Sequence, residues 1–255
     1  MKPRRPAGKG FRFKSLLPHL GLVLLLLGLW FAIPHKPREV APGEMESAVP
    51  VIVVDAGHGG HDNGASRSGM MEKNLALDTA LRLERLLTAR GFKVIMTRRD
   101  DRFLTLSERS QIANEIPRAL FVSVHFNDNA TASGEGVETF YASEKVVGSG
   151  GGLFAKRVEP PPADNGAGFA QAVQSSLVSR IGVIDRGVKS ASLAVVRHTR
   201  CPAVLVEGGF MNNPTEARRL KDTGYRERLA TAIAEGVAAY HQSRILATGP
   251  AQATR

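Results

Sequence analysis

The feature that most constrains this chain is a series of short, almost purely apolar runs separated by segments of helical period. Val51-Ile52-Val53-Val54, Phe92 to Thr97, Leu120 to His125, Leu193 to Val196 and Ala203 to Val206 are the clearest runs. A run of this length that does not alternate marks a strand covered on both faces, as in a parallel sheet. Between them, Glu72 to Arg90 places Leu75, Thr79, Leu83, Leu86 and Leu87 on one helical face, and Gly91 stops it. Thr105 to Ile116, Gly168 to Ile181, Pro214 to Leu220 and Tyr225 to His241 also read as helices. Val137 to Ala142 alternates, as an edge or antiparallel strand does, and the Gly/Pro-rich residues 144–168 read as an exposed loop. Strand and helix in alternation predict an α/β fold: a single layered domain with a mostly parallel central sheet flanked by helices.

The domain is expected to occupy residues 51–242, with a flexible tail at 243–255. In front of it, residues 1–15 hold Lys2, Arg4, Arg5, Lys9, Arg12 and Lys14 and no acid. Those six charges account for more than half of the net +10, so the basicity is concentrated in the tail and no nucleic-acid surface is expected in the folded part. Residues 16–34, with the run Leu22 to Leu27, follow as an apolar core, and residues 35–50 as a Pro-rich linker. A basic start before an apolar core is an export signal. It predicts an extracytoplasmic or periplasmic domain, anchored to the cytoplasmic membrane by an uncleaved segment or, alternatively, released by cleavage. Cys201 is the single cysteine, which excludes an internal disulfide and a multi-cysteine metal site, and it reads as a small buried apolar residue.

In parallel α/β folds the functional groups collect at the carboxyl ends of the strands. Three ionisable residues stand there. His58 lies in the glycine-rich loop after the first run, His125 ends the third, and Glu207 follows Val204-Leu205-Val206. Glu72 opens the first helix, where an acid also complements the helix dipole. Two histidines and a glutamate form a ligand set for a zinc hydrolase, which keeps a further position for water. The spacings are long, 14, 53 and 82 residues from His58 through Glu72 and His125 to Glu207, so placement at strand ends says more than spacing.

Several stretches carry a family resemblance. Val53-Val54-Asp55-Ala56-Gly57-His58-Gly59-Gly60-His61-Asp62-Asn63-Gly64-Ala65 resembles the opening signature of the zinc-dependent N-acetylmuramoyl-L-alanine amidases of the cell-separation and spore-cortex type. Glu72-Lys73-Asn74-Leu75 is similar to the second motif of that family. Thr97-Arg98, Leu106-Ser107-Glu108-Arg109 and Ala113-Asn114 are similar to its middle section. Ser123-Val124-His125-Phe126-Asn127 and Pro202 through Pro214, with Val206-Glu207-Gly208-Gly209-Phe210, resemble the last two. The likeness runs in order over residues 51–241.

The resemblance implies one Zn2+ held by His58, Glu72 and His125, with Glu207 as the catalytic glutamate. It implies peptidoglycan as substrate, cut at the amide between N-acetylmuramic acid and the L-alanine of the stem peptide. An activator protein of unknown identity is a further possibility in such a family. Departures stand at Ala56, His61, Phe126 and Gly208-Gly209. None is a ligand, and they bear on the shape of the cleft. Some members carry a helical insert that blocks the metal; here Gly148 to Gly152 and Pro160 to Pro162 exclude one long helix from that stretch.

Competing readings are a zinc carboxypeptidase, or another amide hydrolase, and a non-catalytic wall-binding protein. The presence of all four expected residues disfavours the last. His61 is expected to face solvent or to line the cleft, and His198 to sit on the surface. Arg98 and Arg109 are expected to form structural ion pairs or to meet acidic groups of a stem peptide. Asp55 and Asn127 are candidates for orienting a ligand.

Overall fold

The computed structural model describes residues 49–129, 133–143 and 166–248. The basic start, the apolar segment 16–34, most of the linker and the stretch 144–165 lie outside the described residues. No helix among the described residues is long and apolar enough to cross a membrane.

The elements run β1 (Val51–Ala56), β2 (Ser66–Arg67), β3 (Met70–Met71), α1 (Glu72–Ala89), β4 (Lys93–Met96), α2 (Leu106–Asn114) and β5 (Ala119–Asn127). They continue with β6 (Val137–Ala142), α3 (Ala167–Ile181), β7 (Asp185–Ala191), α4 (Ala194–Arg197), β8 (Ala203–Phe210), α5 (Pro214–Lys221) and α6 (Thr223–Thr248). Six strands form the central sheet in the order β4-β1-β5-β8-β6-β7, and β2 and β3 form a separate hairpin. The four strands from β4 to β8 are mutually parallel. β6 runs antiparallel to β8, and β7 parallel to β6. The expected mostly parallel α/β domain is therefore present.

Side chains alternate across a strand, and here the alternation divides the core into two layers. Ile52, Val54, Leu120, Val122, Val124, Val204 and Val206 pack with Leu83 and Leu87 of α1, Phe169 and Val173 of α3, and Leu229 and Ile233 of α6. Val53, Phe121, Ala203 and Leu205 face the other way, with Ala113 of α2 and Val195 and Val196 of α4. Cys201 is half-buried at the margin of that second layer.

Three elements differ from expectation. Leu193–Val196 forms no strand: Ala194–Arg197 is a single helical turn, capped by the Thr199 hydroxyl donating to the Val195 carbonyl at 2.7 Å. Four apolar residues suit either state, and only their packing decides. β7 was not visible as a strand because Asp185-Arg186-Gly187-Val188-Lys189-Ser190-Ala191 is a half-exposed edge without an apolar run. That leaves β6 inside the sheet, so of its two expected forms, edge or antiparallel, the antiparallel one is present. The last helix continues past His241 to Thr248, since each added turn costs little once a helix is nucleated.

The loop after β1 is held from below by two buried arginines. Arg98 is fully buried and donates to four carbonyls: Ala56 at 2.9 Å, Gly57 at 2.7 Å, Lys73 at 2.9 Å and Asp100 at 3.0 Å. Arg109 donates to the carbonyls of Ala56 and His58, each at 2.7 Å, and to Asp55 Oδ1 at 2.8 Å. Asp55 also accepts from the hydroxyls of Thr97 and Ser123, each at 2.7 Å. Arg109 thus forms the expected structural ion pair, whereas Arg98 is satisfied by backbone. A buried carbonyl left without a donor costs about 1–3 kcal/mol. Arg98→Met is accordingly expected to destabilise the domain by at least ~3 kcal/mol. A lower urea midpoint at unchanged slope would register the loss. Arg85→Ala, which removes an exposed ion pair with Glu227, is expected to cost under ~1 kcal/mol in the same assay.

Candidate metal and catalytic site

Four residues picked from the sequence come together at one edge of the sheet. His58 sits just past β1 with φ of +58°, a left-handed conformation rare for a residue with a Cβ. Arg109 on its carbonyl and the Gly59–Asp62 bridge, with the Gly59 amide donating to the Asp62 carbonyl at 2.9 Å, hold it there. Its Nδ1 lies 2.8 Å from Asp62 Oδ2, which leaves Nε2 to face the centre of the cluster. Asp62 escaped the sequence reading, although it stands four residues from His58 in the same loop.

Glu72 is the first residue of α1, delivered by the β2–β3 hairpin. Its Oε1 lies 3.0 Å from His58 Nε2 and 2.8 Å from His125 Nδ1. The Phe126 amide donates to Oε1 at 3.2 Å and the Ala65 amide to Oε2 at 3.0 Å. Burial pushes the Glu72 carboxyl up, but the two histidines more than offset this and hold it well below the ordinary carboxylate range. Burial likewise lowers the His58 imidazole, and its contacts with Glu72 and Asp62 reverse the sign, leaving it raised.

One donor atom from each of His58, Glu72 and His125 lies within 4.8 Å of the others, a cluster able to hold a metal ion. The surroundings are shaped to it. A Cβ at Gly57 would stand 2.4 Å from the His125 ring. Phe126 beside His125 is fully buried, and a Cβ at Gly208 would come within 2.9 Å of its ring. A side chain at Gly208 would thus collide with both Phe126 and Leu229.

Glu207 lies in the adjacent strand, paired with His125 in the β5–β8 register; a shift in that register follows directly after His125. Its Oε2 is buried without a hydrogen-bond partner. Burial, followed by the charges of Glu72 and Glu138, raises its carboxyl well above the usual range. A carboxyl left so poorly solvated is suited to taking and returning a proton.

Glu138, not singled out from the sequence, is the next carboxylate along, opposite Glu207 in the β6–β8 register. Unlike Glu207 it is well supplied with donors. Asn127 Nδ2 donates to its Oε1 at 2.8 Å, Arg186 Nε to its Oε2 at 2.8 Å, and Lys189 Nζ also to Oε2. An acid in the alternating run Val137 to Ala142 was the signal that could have found it. Asn127 therefore orients Glu138, and Asp55 orients Arg109; neither touches a ligand. His61 is exposed and stacks on Phe103 at 4.0 Å between ring centroids. His198 caps α4, away from the cluster, with its carbonyl accepting from Asn114 Nδ2 at 2.9 Å.

The sequence profile of the family described as N-acetylmuramoyl-L-alanine amidase matches residues 52–239. The Bacillus subtilis N-acetylmuramoyl-L-alanine amidase LytC is 34% identical over 191 residues, 75% of this chain and 35% of LytC. The chain thus spans about a third of that relative. An N-acetylmuramoyl-L-alanine amidase from Clostridium difficile 630 superposes with a TM-score of 0.68 at 31% identity, covering 76% of this chain and 98% of that one. The CwlD amidase of Clostridioides difficile, solved in complex with the GerS lipoprotein, gives 0.66 at 28% identity, over 76% and 99% of the two chains. With a family profile matched over residues 52–239, the chain belongs to the N-acetylmuramoyl-L-alanine amidase family.

Proposed function

We propose that this protein is a zinc-dependent peptidoglycan amidase that cleaves the amide between the lactyl group of N-acetylmuramic acid and L-alanine, in cell-wall remodelling or cell separation. The observation that carries the reading is Glu207, a half-buried residue whose Oε2 is buried and unpartnered, paired in register with His125 of the His58–Glu72–His125 cluster. A structural metal site needs no such neighbour, and a catalytic one needs a group to move protons.

The donor set fits zinc: two imidazoles and one carboxylate, already gathered by hydrogen bonds, with the His125 ring in space that a side chain at Gly57 would fill. When bound, zinc supplies Lewis-acid activation of water and of the scissile carbonyl. The chain's own residues do the rest. Asp62 and Arg109 hold the His58 ring and backbone in place. Glu207 accepts the proton of the attacking water and returns it to the nitrogen of the leaving alanine, which departs as a neutral amine. The raised affinity of Glu207 for a proton serves that exchange.

We place the enzyme outside the cytoplasmic membrane, anchored through residues 16–34 or released by cleavage, on the strength of the basic and apolar order of that segment. An accessory protein is compatible with this reading, since the similar CwlD is solved in complex with the GerS lipoprotein.

Incubation of residues 45–255 with zinc and purified sacculi is expected to release muropeptides whose lactyl–alanine bond is cut, and chelation is expected to stop it. Mass spectrometry that found those bonds intact would sink the amidase reading. Glu207→Gln is expected to keep stoichiometric zinc while kcat falls roughly 10²- to 10⁴-fold. Loss of the metal in that variant would make Glu207 a ligand. His125→Ala, by contrast, is expected to lose both the metal and activity.

A further inference from the structure

A stem peptide carries free carboxylates, yet Arg98 and Arg109 are buried and taken up by protein acceptors. Cations able to meet a substrate stand at the other end of the catalytic edge. Because β6 runs antiparallel to β8, the start of β6, and of β7 parallel to it, returns to the edge where His125 and Glu207 lie. Arg186 and Lys189 are on β7, with side chains 33% and 39% exposed.

Both cations rest on Glu138, the carboxylate opposite Glu207. One of them would neutralise it, and Asn127 already occupies its other oxygen. The second cation therefore leaves a net positive charge at the surface. Arg186 is also held in a fixed pose: Nε is bonded to Glu138, and the guanidinium lies 4.8 Å from the centre of the Phe210 ring. Among the described residues its two Nη groups make no hydrogen bond. A guanidinium anchored at Nε with both Nη groups free presents the fork that binds a carboxylate through two hydrogen bonds.

We propose that Arg186 and Lys189 form a carboxylate-binding subsite for an acidic group of the stem peptide, on the side of Glu207 away from the metal ligands. This rests on the amidase reading. Adjacent strands are ~4.8 Å apart, so β7 lies about 10 Å from Glu207. An extended peptide covers that distance in about three residues, which places the acidic group one to three residues beyond the scissile amide. The stem would then run toward β7 and the glycan away from it, toward the His61–Phe103 ring pair.

The test compares two muramyl peptides that differ only in the second stem residue, D-γ-glutamate with its carboxylate free or amidated. The quantity read is the ratio of kcat/KM for acid over amide, taken within one protein so that any loss of folded enzyme cancels. Wild type is expected to favour the acid roughly 10- to 100-fold, mainly through KM, and less so at high salt. Glu138→Gln/Arg186→Gln/Lys189→Met, which removes the buried acid along with its partners, is expected to bring the ratio near one. Arg186→Lys keeps the charge without the fork and is expected to fall between. A wild-type ratio near one, or a ratio the triple variant leaves unchanged, overturns the subsite while the amidase reading stands. If wild type cleaves neither peptide, the amidase reading fails and the subsite with it.

Discussion

The site depends first on how the carbonyls after β1 are satisfied. Where β1 ends, the chain turns away from its strand partners, and the carbonyls of Ala56, Gly57 and His58 need donors. Two guanidiniums supply them, from the end of β4 and from α2, with one carboxylate, Asp55, beneath. Arg109 touches both Asp55 and the carbonyl of His58, so the pairing that stabilises the centre of the sheet also fixes the backbone at His58. A left-handed residue costs of order 1 kcal/mol. The loop accepts that cost because its carbonyls have nowhere else to go, and the result is a His58 ring aimed at Glu72 instead of solvent.

Three carboxylates stand in a row beyond that loop, and the fold treats each differently. Glu72 meets two imidazoles and two backbone amides. Glu138 meets an amide side chain and two cations. Glu207, between them, has an oxygen with no partner and feels the charge of both neighbours. Groups of one chemical type pushed apart in this way suit separate roles, and on the proposed function these are ligand, anchor and proton carrier. A cation held by the triad would act on Glu207 in the opposite sense to its two acidic neighbours. Its proton affinity is therefore coupled to occupation of the cluster.

Much of this was legible in the sequence, for reasons that differ by element. β1, β5 and β8 are buried on both faces, so their residues must be continuously apolar, and the polar residue that follows each run stands out. His58, His125 and Glu207 were found that way, and the ordered motifs supplied Glu72, which by itself resembles a helix-starting acid. β7 could not be found by the same rule, because an edge strand with a half-exposed surface has no apolar run to display. The alternation of β6 allowed an edge or an antiparallel strand, and β7 beyond it leaves the second. Leu193 to Val196 failed for the converse reason, since four apolar residues do not choose between helix and strand until they pack on Ile112 and Phe140. Glu138 was missed because its partners come from other strands, and the acid in its alternating run was the one local sign of it; Asp62 was missed although its contact with His58 lies within one loop.

The reversal of β6 has the largest functional consequence of these. In a wholly parallel sheet only strand ends reach the active edge, and sequence reading searches only there. One antiparallel neighbour brings strand starts to the same edge, so Val137-Glu138 and Asp185-Arg186 join groups that end β5 and β8. The edge then differs at its two extremes. At the β1–β4 end Arg98 and Arg109 are buried, Lys73 is tied to Asp101 and the Gly60 carbonyl, and the exposed cations Arg99 and Arg102 are paired with Glu84 and Asp100. At the β6–β7 end the cations are half-exposed and outnumber the one acid they rest on. A substrate with a neutral sugar on one side of the scissile bond and an acidic peptide on the other has a single favourable direction on such a surface. Strand polarity, more than any one residue, sets that direction.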